Sequence, residues 1–308
     1  MNNKPCRMIM MFFCCMMVLL PAMIAHAGLQ EGIKAYREND HRAALQELRP
    51  LAEKGNAEAQ YYLGLIHTSG QGVPTDYKTA MGWFKRAAEQ GHAGAQHNLG
   101  LLYEDGLGVP KDFKAAALWY LKAAEKGYAP SQYNFGMMYF EGRGVPRDYV
   151  LAQKWYLKSA DQGYAAAQYL LGLLYYKGRG VPQSYKDALA WFHRSAEQGD
   201  ARAQHYLGVM YEKGQGVPAD DRMAAPWYQK AADQGNTASQ YTMGMIYYEG
   251  RGVPVDRVAA YKWLSLASTA GVKEAGPVLQ LLEPKMSPEE LATARLMAKA
   301  WLIIHHNK

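Results

Sequence analysis

Residues 129–163 read APSQYNFGMMYFEGRGVPRDYVLAQKWYLKSADQG. At its centre, Gly142-Arg143-Gly144 ahead of Asp148 has the look of a phosphate cradle, because glycine turns that open onto a helix N-terminus bind nucleotides. The flanking sequence decides otherwise. G-x-G-V-P ends at Pro74, Pro110, Pro146, Pro182, Pro218 and Pro254, each 36 residues after the last. Trp83, Trp119, Trp155, Trp191, Trp227 and Trp263 keep the same step, as do Gln60 through Gln240 and Gly64 through Gly244. An uninterrupted period of this length marks stacked supersecondary units, a solenoid.

Each unit reads as two helices. Gln132, Phe135, Gly136 and Tyr139 fall at i, i+3, i+4 and i+7, one helical face, and Ala152, Trp155, Tyr156, Ser159 and Ala160 form a second. Gly142 suits the left-handed position past a helix end. Pro146 holds Val145 extended, and Asp148 is placed to cap the next helix, with Ser184 in that role one unit on. Gly136 and its equivalents cost about 1 kcal/mol each inside a helix relative to Ala, which makes sense if a neighbour approaches the backbone there. The expected large partner is the Trp. The G-x-G loop lacks the Lys and preceding strand of a P-loop, so it is a structural turn.

These residues resemble a known family. The pattern A-x-A-Q-x-x-L-G-x-x-Y-x-x-G-x-G-V-P-x-D-(Y/F)-x-x-A-x-x-W-(Y/F)-x-K-A-A-x-x-G is that of the Sel-one-like repeat (SLR), related to the tetratricopeptide repeat (TPR). It covers residues 56–271. The resemblance implies an all-α fold, a right-handed α-solenoid of stacked helix-turn-helix repeats, and a non-enzymatic scaffold, adapter or regulator that binds a protein segment on its concave surface. His67 replaces the Tyr of later units, and Pro226 lies inside a second helix, which it should bend or delay.

Residues 28–55 read as an N-terminal capping hairpin turning at Tyr36–Asp40, and 272–308 as C-terminal capping helices. Gln280 stands where a further unit would carry Gly. Ser287-Pro288-Glu289-Glu290 is a capping box opening a helix to about residue 304 with Trp301 inward.

The first 27 residues have the form of a secretory signal peptide: Lys4 and Arg7, an apolar run Met8–Ile24, and Ala25-His26-Ala27 before a cut at Gly28. Pro21 and the nearby A-x-A argue against an uncleaved anchor. No lipobox precedes Cys14 or Cys15. Cys6, Cys14 and Cys15 all lie in the leader, so the mature chain is expected to be cysteine-free in an oxidising compartment, with neither disulfides nor thiol ligands. Of 34 Lys and Arg, Lys4 and Arg7 fall in the leader, leaving 32 against 28 acids. These charges are dispersed with no basic stripe, which argues against nucleic acid. No later apolar run crosses a bilayer, and there is no heptad seam. A monomer or weak oligomer is expected, in the periplasm or secreted.

The side of each first helix opposite Gln60, Gly64 and His67 is free for function, and in the resemblance it faces the inner groove of the superhelix. Its columns are Tyr61, His97, Tyr133, Tyr169, His205 and Tyr241; then Tyr62, Asn98, Asn134, Leu170, Tyr206 and Thr242; then Leu65, Leu101, Met137, Leu173, Val209 and Met245. Stacked, they give rings, amides and aliphatic pockets suited to an extended peptide. The middle column varies most, so Tyr62, Asn98, Asn134, Leu170, Tyr206 and Thr242 are the candidate partner-binding residues. In the resemblance, Asn98 and Asn134 occupy the place of a carboxylate-clamp Asn, with Arg202 as the one suitably placed cation.

No catalytic residue or cofactor motif emerges: H-E-x-x-H, G-x-S-x-G and Ser-x-x-Lys are all missing. His97 and His205 lie three repeats apart and cannot share a metal, and His305-His306 reads as a frayed tail. The rival readings come from relatives: weak β-lactam hydrolysis, which in cysteine-rich members relies on a disulfide per repeat, and release to bind a host protein.

Overall fold

The computed structural model describes residues 26–306, all of whose regular structure is helical. The expected leader lies outside the described residues except for its last two positions, as do all three cysteines. Helix α1 spans 26–37. It is followed by α2 (His41–Glu53), α3 (Ala57–Ser69), α4 (Tyr77–Glu89), α5 (Ala93–Asp105), α6 (Phe113–Glu125), α7 (Ala129–Glu141), α8 (Tyr149–Asp161) and α9 (Ala165–Lys177). Then come α10 (Tyr185–Glu197), α11 (Ala201–Lys213), α12 (Asp221–Asp233), α13 (Thr237–Glu249), α14 (Arg257–Thr269), α15 (Ala275–Leu282) and α16 (Pro288–His306). The chain divides into two compact units, Met1–Arg147 and Asp148–Lys308. Within each, successive helices pack on one another.

The expected turn chemistry is present. Odd-numbered helices α3 to α13 end on a left-handed Gly, φ 73° at Gly106 and Gly142, where a missing Cβ removes the steric penalty. Asp76, Asp112, Asp148, Ser184, Asp220 and Asp256 each accept a backbone N–H at the start of the following helix. Pro226 sits inside α12, yet that helix starts in register at Asp221, so its start is not delayed. Ser287 and Glu290 form the expected reciprocal capping box: Glu290 N donates to Ser287 Oγ at 3.2 Å and Ser287 N donates to Glu290 Oε2 at 2.8 Å.

The close-packing partner of the helical glycine differs from the expected Trp. A Cβ on Gly172 would lie 2.8 Å from the Phe192 ring, and one on Gly208 would lie 2.7 Å from Tyr228. Gly64 faces Phe84, Gly100 faces Tyr120 and Gly244 faces Leu264. The partner is the residue after each Trp, one helical step around. Trp83, Trp119, Trp191 and Trp227 are half-buried instead, with the cation three positions on lying over the ring: Arg86 at 4.7 Å, Lys122 at 4.1 Å, Arg194 at 4.4 Å and Lys230 at 4.3 Å. Trp263 alone of the six is buried.

Two further devices join one repeat to the next. The recurrent Gln donates its buried side-chain amide to the end of the preceding second helix: Gln60 to Ala52 O at 2.9 Å, Gln96 to Ala88 O and Gln204 to Ala196 O at 3.1 Å. Its own carbonyl is met by the amide of Gln90 on Gln60, Gln198 on Gln168 and Gln234 on Gln204. Lys126 stands at the corresponding place for Gln96, and Gln96 Oε1 is left buried without a partner. The second Gly of each G-x-G rests on the first turn of the previous second helix. A Cβ on Gly108 would meet Tyr77 C at 2.7 Å, and one on Gly72 would meet His41 Cβ at 2.8 Å.

His41 thus occupies the site held by Tyr77, Phe113, Tyr149 and Tyr185 in later units. It is 7% exposed, with neither ring nitrogen hydrogen-bonded. Unpaired buried polar atoms cost free energy that an isosteric ring would not. His41→Phe is therefore expected to stabilise the protein by about 1 kcal/mol, read as a higher urea midpoint; an unchanged or lower midpoint would contradict the assignment.

Candidate functional site

The first column of the candidate stripe belongs to the packing. Tyr61 stacks on His92 with ring centroids 4.4 Å apart, and burial, then neighbouring tyrosines, push its hydroxyl up to about 12. His97 Nδ1 pairs with Ser131 Oγ at 2.9 Å, and His205 Nδ1 with Ser239 Oγ at 2.8 Å. Ser131 and Ser239 stand where Ala59, Ala95, Ala167, Ala203 and Ala275 stand in the other repeats. A His–Ser pair thus replaces a Tyr–Ala pair twice, a co-occurrence visible in the sequence once the contact is known. Burial holds His97 down at about 4 and also lowers His205.

The middle column is used unevenly. Tyr62 makes an edge contact with Tyr36, centroids 5.1 Å apart. Asn134 lies beside the Tyr120 hydroxyl. Leu170 is buried in the core. Tyr206 stacks on Phe192 at 5.0 Å and meets Tyr176 edge-on at 5.3 Å. Thr242 Oγ1 donates back to Ala238 O at 3.0 Å. Arg202, the single clamp cation, is held by Asp200 at 2.6 Å and lies over the Tyr169 ring at 4.3 Å. Asn98 differs from all of these. Its amide makes no hydrogen bond among the described residues, and it lines a cleft of about 270 Å³ with Thr68, Tyr77, Phe84, Leu101 and Asp105.

Sequence reasoning missed two matching polar networks. In the first unit Tyr120 donates to Glu104 at 2.7 Å, while Arg143 bridges Glu104 at 2.9 Å and Glu141. In the second, Tyr228 donates to Glu212 at 2.7 Å, and Arg251 bridges Glu212 and Glu249, the latter at 2.7 Å. Burial alone would raise Glu212, but hydrogen bonds from Arg251 and Tyr228 outweigh it and hold the carboxyl below its ordinary range. The signal was available: Glu104 and Glu212 each precede a Tyr by 16 residues, and an Arg follows each by 39.

One His–carboxylate pair has a catalytic outline and fails on geometry. His92 Nε2 lies 3.0 Å from Glu58, while its Nδ1 accepts the Ala95 N–H at 3.1 Å as a helix cap. Both ring nitrogens are engaged, so neither is available as a general base. Among the described residues no group of three or more His, Cys, Asp or Glu is placed to hold a metal ion, and no helix is long and apolar enough to cross a membrane.

The spacing and the inter-repeat contacts coincide with a known family. The Sel1 repeat model matches residues 57–92, 93–128, 129–164, 165–200, 201–236 and 237–272. The chain belongs to the Sel1 repeat family. A Sel1 repeat protein from Oxalobacter formigenes is 34% identical, with a TM-score of 0.72 over 78% of this chain and 96% of that one. A protective antigen of uropathogenic Escherichia coli with an SLR fold is 30% identical over 90% of this chain and 76% of its own, TM-score 0.41. An immunity protein from Pseudomonas aeruginosa is 24% identical over 69% and 81%, TM-score 0.43. None of the curated proteins is a significant match. The Sel1 repeats make this an all-α solenoid of helix-turn-helix units, a fold that typically serves as a protein-interaction scaffold rather than an enzyme.

Proposed function

We propose that this Sel1 repeat protein is a non-enzymatic adapter of the bacterial periplasm or cell envelope that captures an extended segment of a protein partner on its first helices. The observation that carries the reading is the cleft at Asn98. The Asn98 amide retains both donor and acceptor capacity in a cleft it shares with Leu101, Leu107 and the Asp105 carboxylate. That set suits an apolar side chain seated on the leucines, with its own backbone bonded to the amide and a basic neighbour near Asp105. Export through the leader is the basis for the compartment.

A random peptide library displayed on phage, panned on the purified protein, tests the site. Enriched sequences should pair an apolar anchor with Lys or Arg and bind Asn98→Ala at least about 10-fold more weakly, as expected for loss of one buried backbone contact. Equal binding to wild type and Asn98→Ala would overturn the assignment. Recovery in a cytoplasmic rather than an envelope fraction would overturn the compartment, and turnover of nitrocefin would overturn the non-enzymatic reading.

A further inference from the structure

Helix α16 is apolar on two opposite sides. Its inner side packs Leu291, Ala294, Ala298, Trp301 and Leu302 into the cores around α12, α13 and α14. Its outer side carries Ala292, Leu296, Met297, Ala300, Ile303 and Ile304, all exposed. Leu296 is 68%, Ile303 55%, Ile304 59% and Met297 42% exposed. At about 100° per residue these six positions span roughly 140° of the circumference. Past the acidic first turn no charged residue interrupts that arc, and its polar member Thr293 donates its hydroxyl to Glu289 O at 2.8 Å; Arg295 and Lys299 flank one side of it. A helix that is apolar on both sides is normally buried. The outer side of α16 is built to be covered.

We propose that a second copy of this chain covers it, α16 against α16, antiparallel about a two-fold axis. Large and small residues alternate along the stripe as Ala292, Leu296, Ala300 and Ile303. An antiparallel pair centred between Leu296 and Ala300 sets each Leu296 against the other copy's Ala300 and each Ala292 against Ile303 or Ile304. Every contact then recurs in the opposite sense, as an isologous interface requires. The helix has 19 residues, and a single helix pair buries well below the ~800 Å² per copy of a standard interface. The association is accordingly weak and reversible. A lipid surface fits the face less well, because a helix that lies in a membrane interface presents a strongly charged face opposite the apolar one, whereas the opposite side of α16 is packed into the core.

Sedimentation velocity of the purified protein from about 1 to 200 µM tests the proposal, with a monomer–dimer shift expected inside that range. Leu296→Glu buries an unpaired carboxylate in the pair and should weaken it at least ~100-fold, with Tm unchanged at concentrations where both proteins are monomeric, because Leu296 is exposed in a single copy. Ala300→Leu separates specific pairing from general stickiness: it fills the small site and should weaken the dimer, whereas stickiness would strengthen it. All three proteins share one N-terminus, so any difference belongs to α16. A wild-type protein that stays monomeric, or an Ala300→Leu variant that associates more tightly, would overturn the proposal. So would Leu296-dependent flotation with phosphatidylglycerol vesicles in the absence of self-association, which would assign the face to lipid.

Discussion

Gly180→Ala is expected to destabilise the protein by about 3 kcal/mol or more, while Gly163→Ala, in a similar backbone conformation, should cost only about 1 kcal/mol. Gly163 has φ +88° and no atom within 4 Å of an added Cβ. Gly180 has φ +73°, and its Cβ would lie 2.6 Å from both the carbonyl carbon and the oxygen of Tyr149, the first residue of α8. The conformational penalty is shared by both substitutions; the clash belongs to Gly180 alone. A flexible side chain can swing aside, but the backbone of a packed helix moves only if the stack opens. The difference between the two urea midpoints therefore isolates the contact that joins one turn to the preceding hairpin. Equal losses would show that the second Gly of G-x-G serves only its own turn.

Acidification should destabilise the protein before most of its carboxylates titrate. Burial holds His97 down at about 4 from an ordinary 6.5, and lowers His67, His193 and His205 as well. The neutral ring is the folded form. Between about pH 6.5 and 4 the unfolded chain binds more protons, so stability falls as pH is lowered through that window and is retained above it. His97 alone accounts for about 2 kcal/mol between pH 7 and pH 5 by this linkage. The pair His97→Tyr with Ser131→Ala restores the Tyr–Ala arrangement of neighbouring repeats. It should flatten the pH dependence of the urea midpoint by a comparable amount. An identical slope in the variant would place the acid sensitivity elsewhere.

The fold was legible because its determinants are local and repeated. Gly142, Pro146 and Asp148 act through backbone conformation and capping within a few residues, and six copies average out the noise. The partner of the helical glycine was misread because the recurring Trp attracts attention, whereas the buried contact is made by a neighbour that varies among Phe, Tyr and Leu. Only helix rotation distinguishes the two. The tail was also misread. His305 continues α16, stacks on Trp301 with centroids 3.8 Å apart and approaches Asp233 O at 2.9 Å through Nε2. That carbonyl lies 72 residues away in sequence, beyond the reach of any local pattern. The candidate column was readable as a column. Which of its members face the open cleft was not, since Asn98 and Asn134 look alike until Tyr120 is found beside one of them and the cleft beside the other.

The division between a stacking face and a recognition face is tested most directly by pairing two readouts on one helix. For Gln96→Ala, Gly100→Ala and Asn98→Ala, the urea midpoint and the affinity for a library-selected peptide would be measured side by side. The first two should lower the midpoint by about 1–3 kcal/mol equivalent. Asn98→Ala should leave the midpoint within about 0.5 kcal/mol and reduce peptide affinity at least about 10-fold. An Asn98→Ala protein as unstable as Gln96→Ala, or one that binds the peptide as well as wild type, would contradict the account.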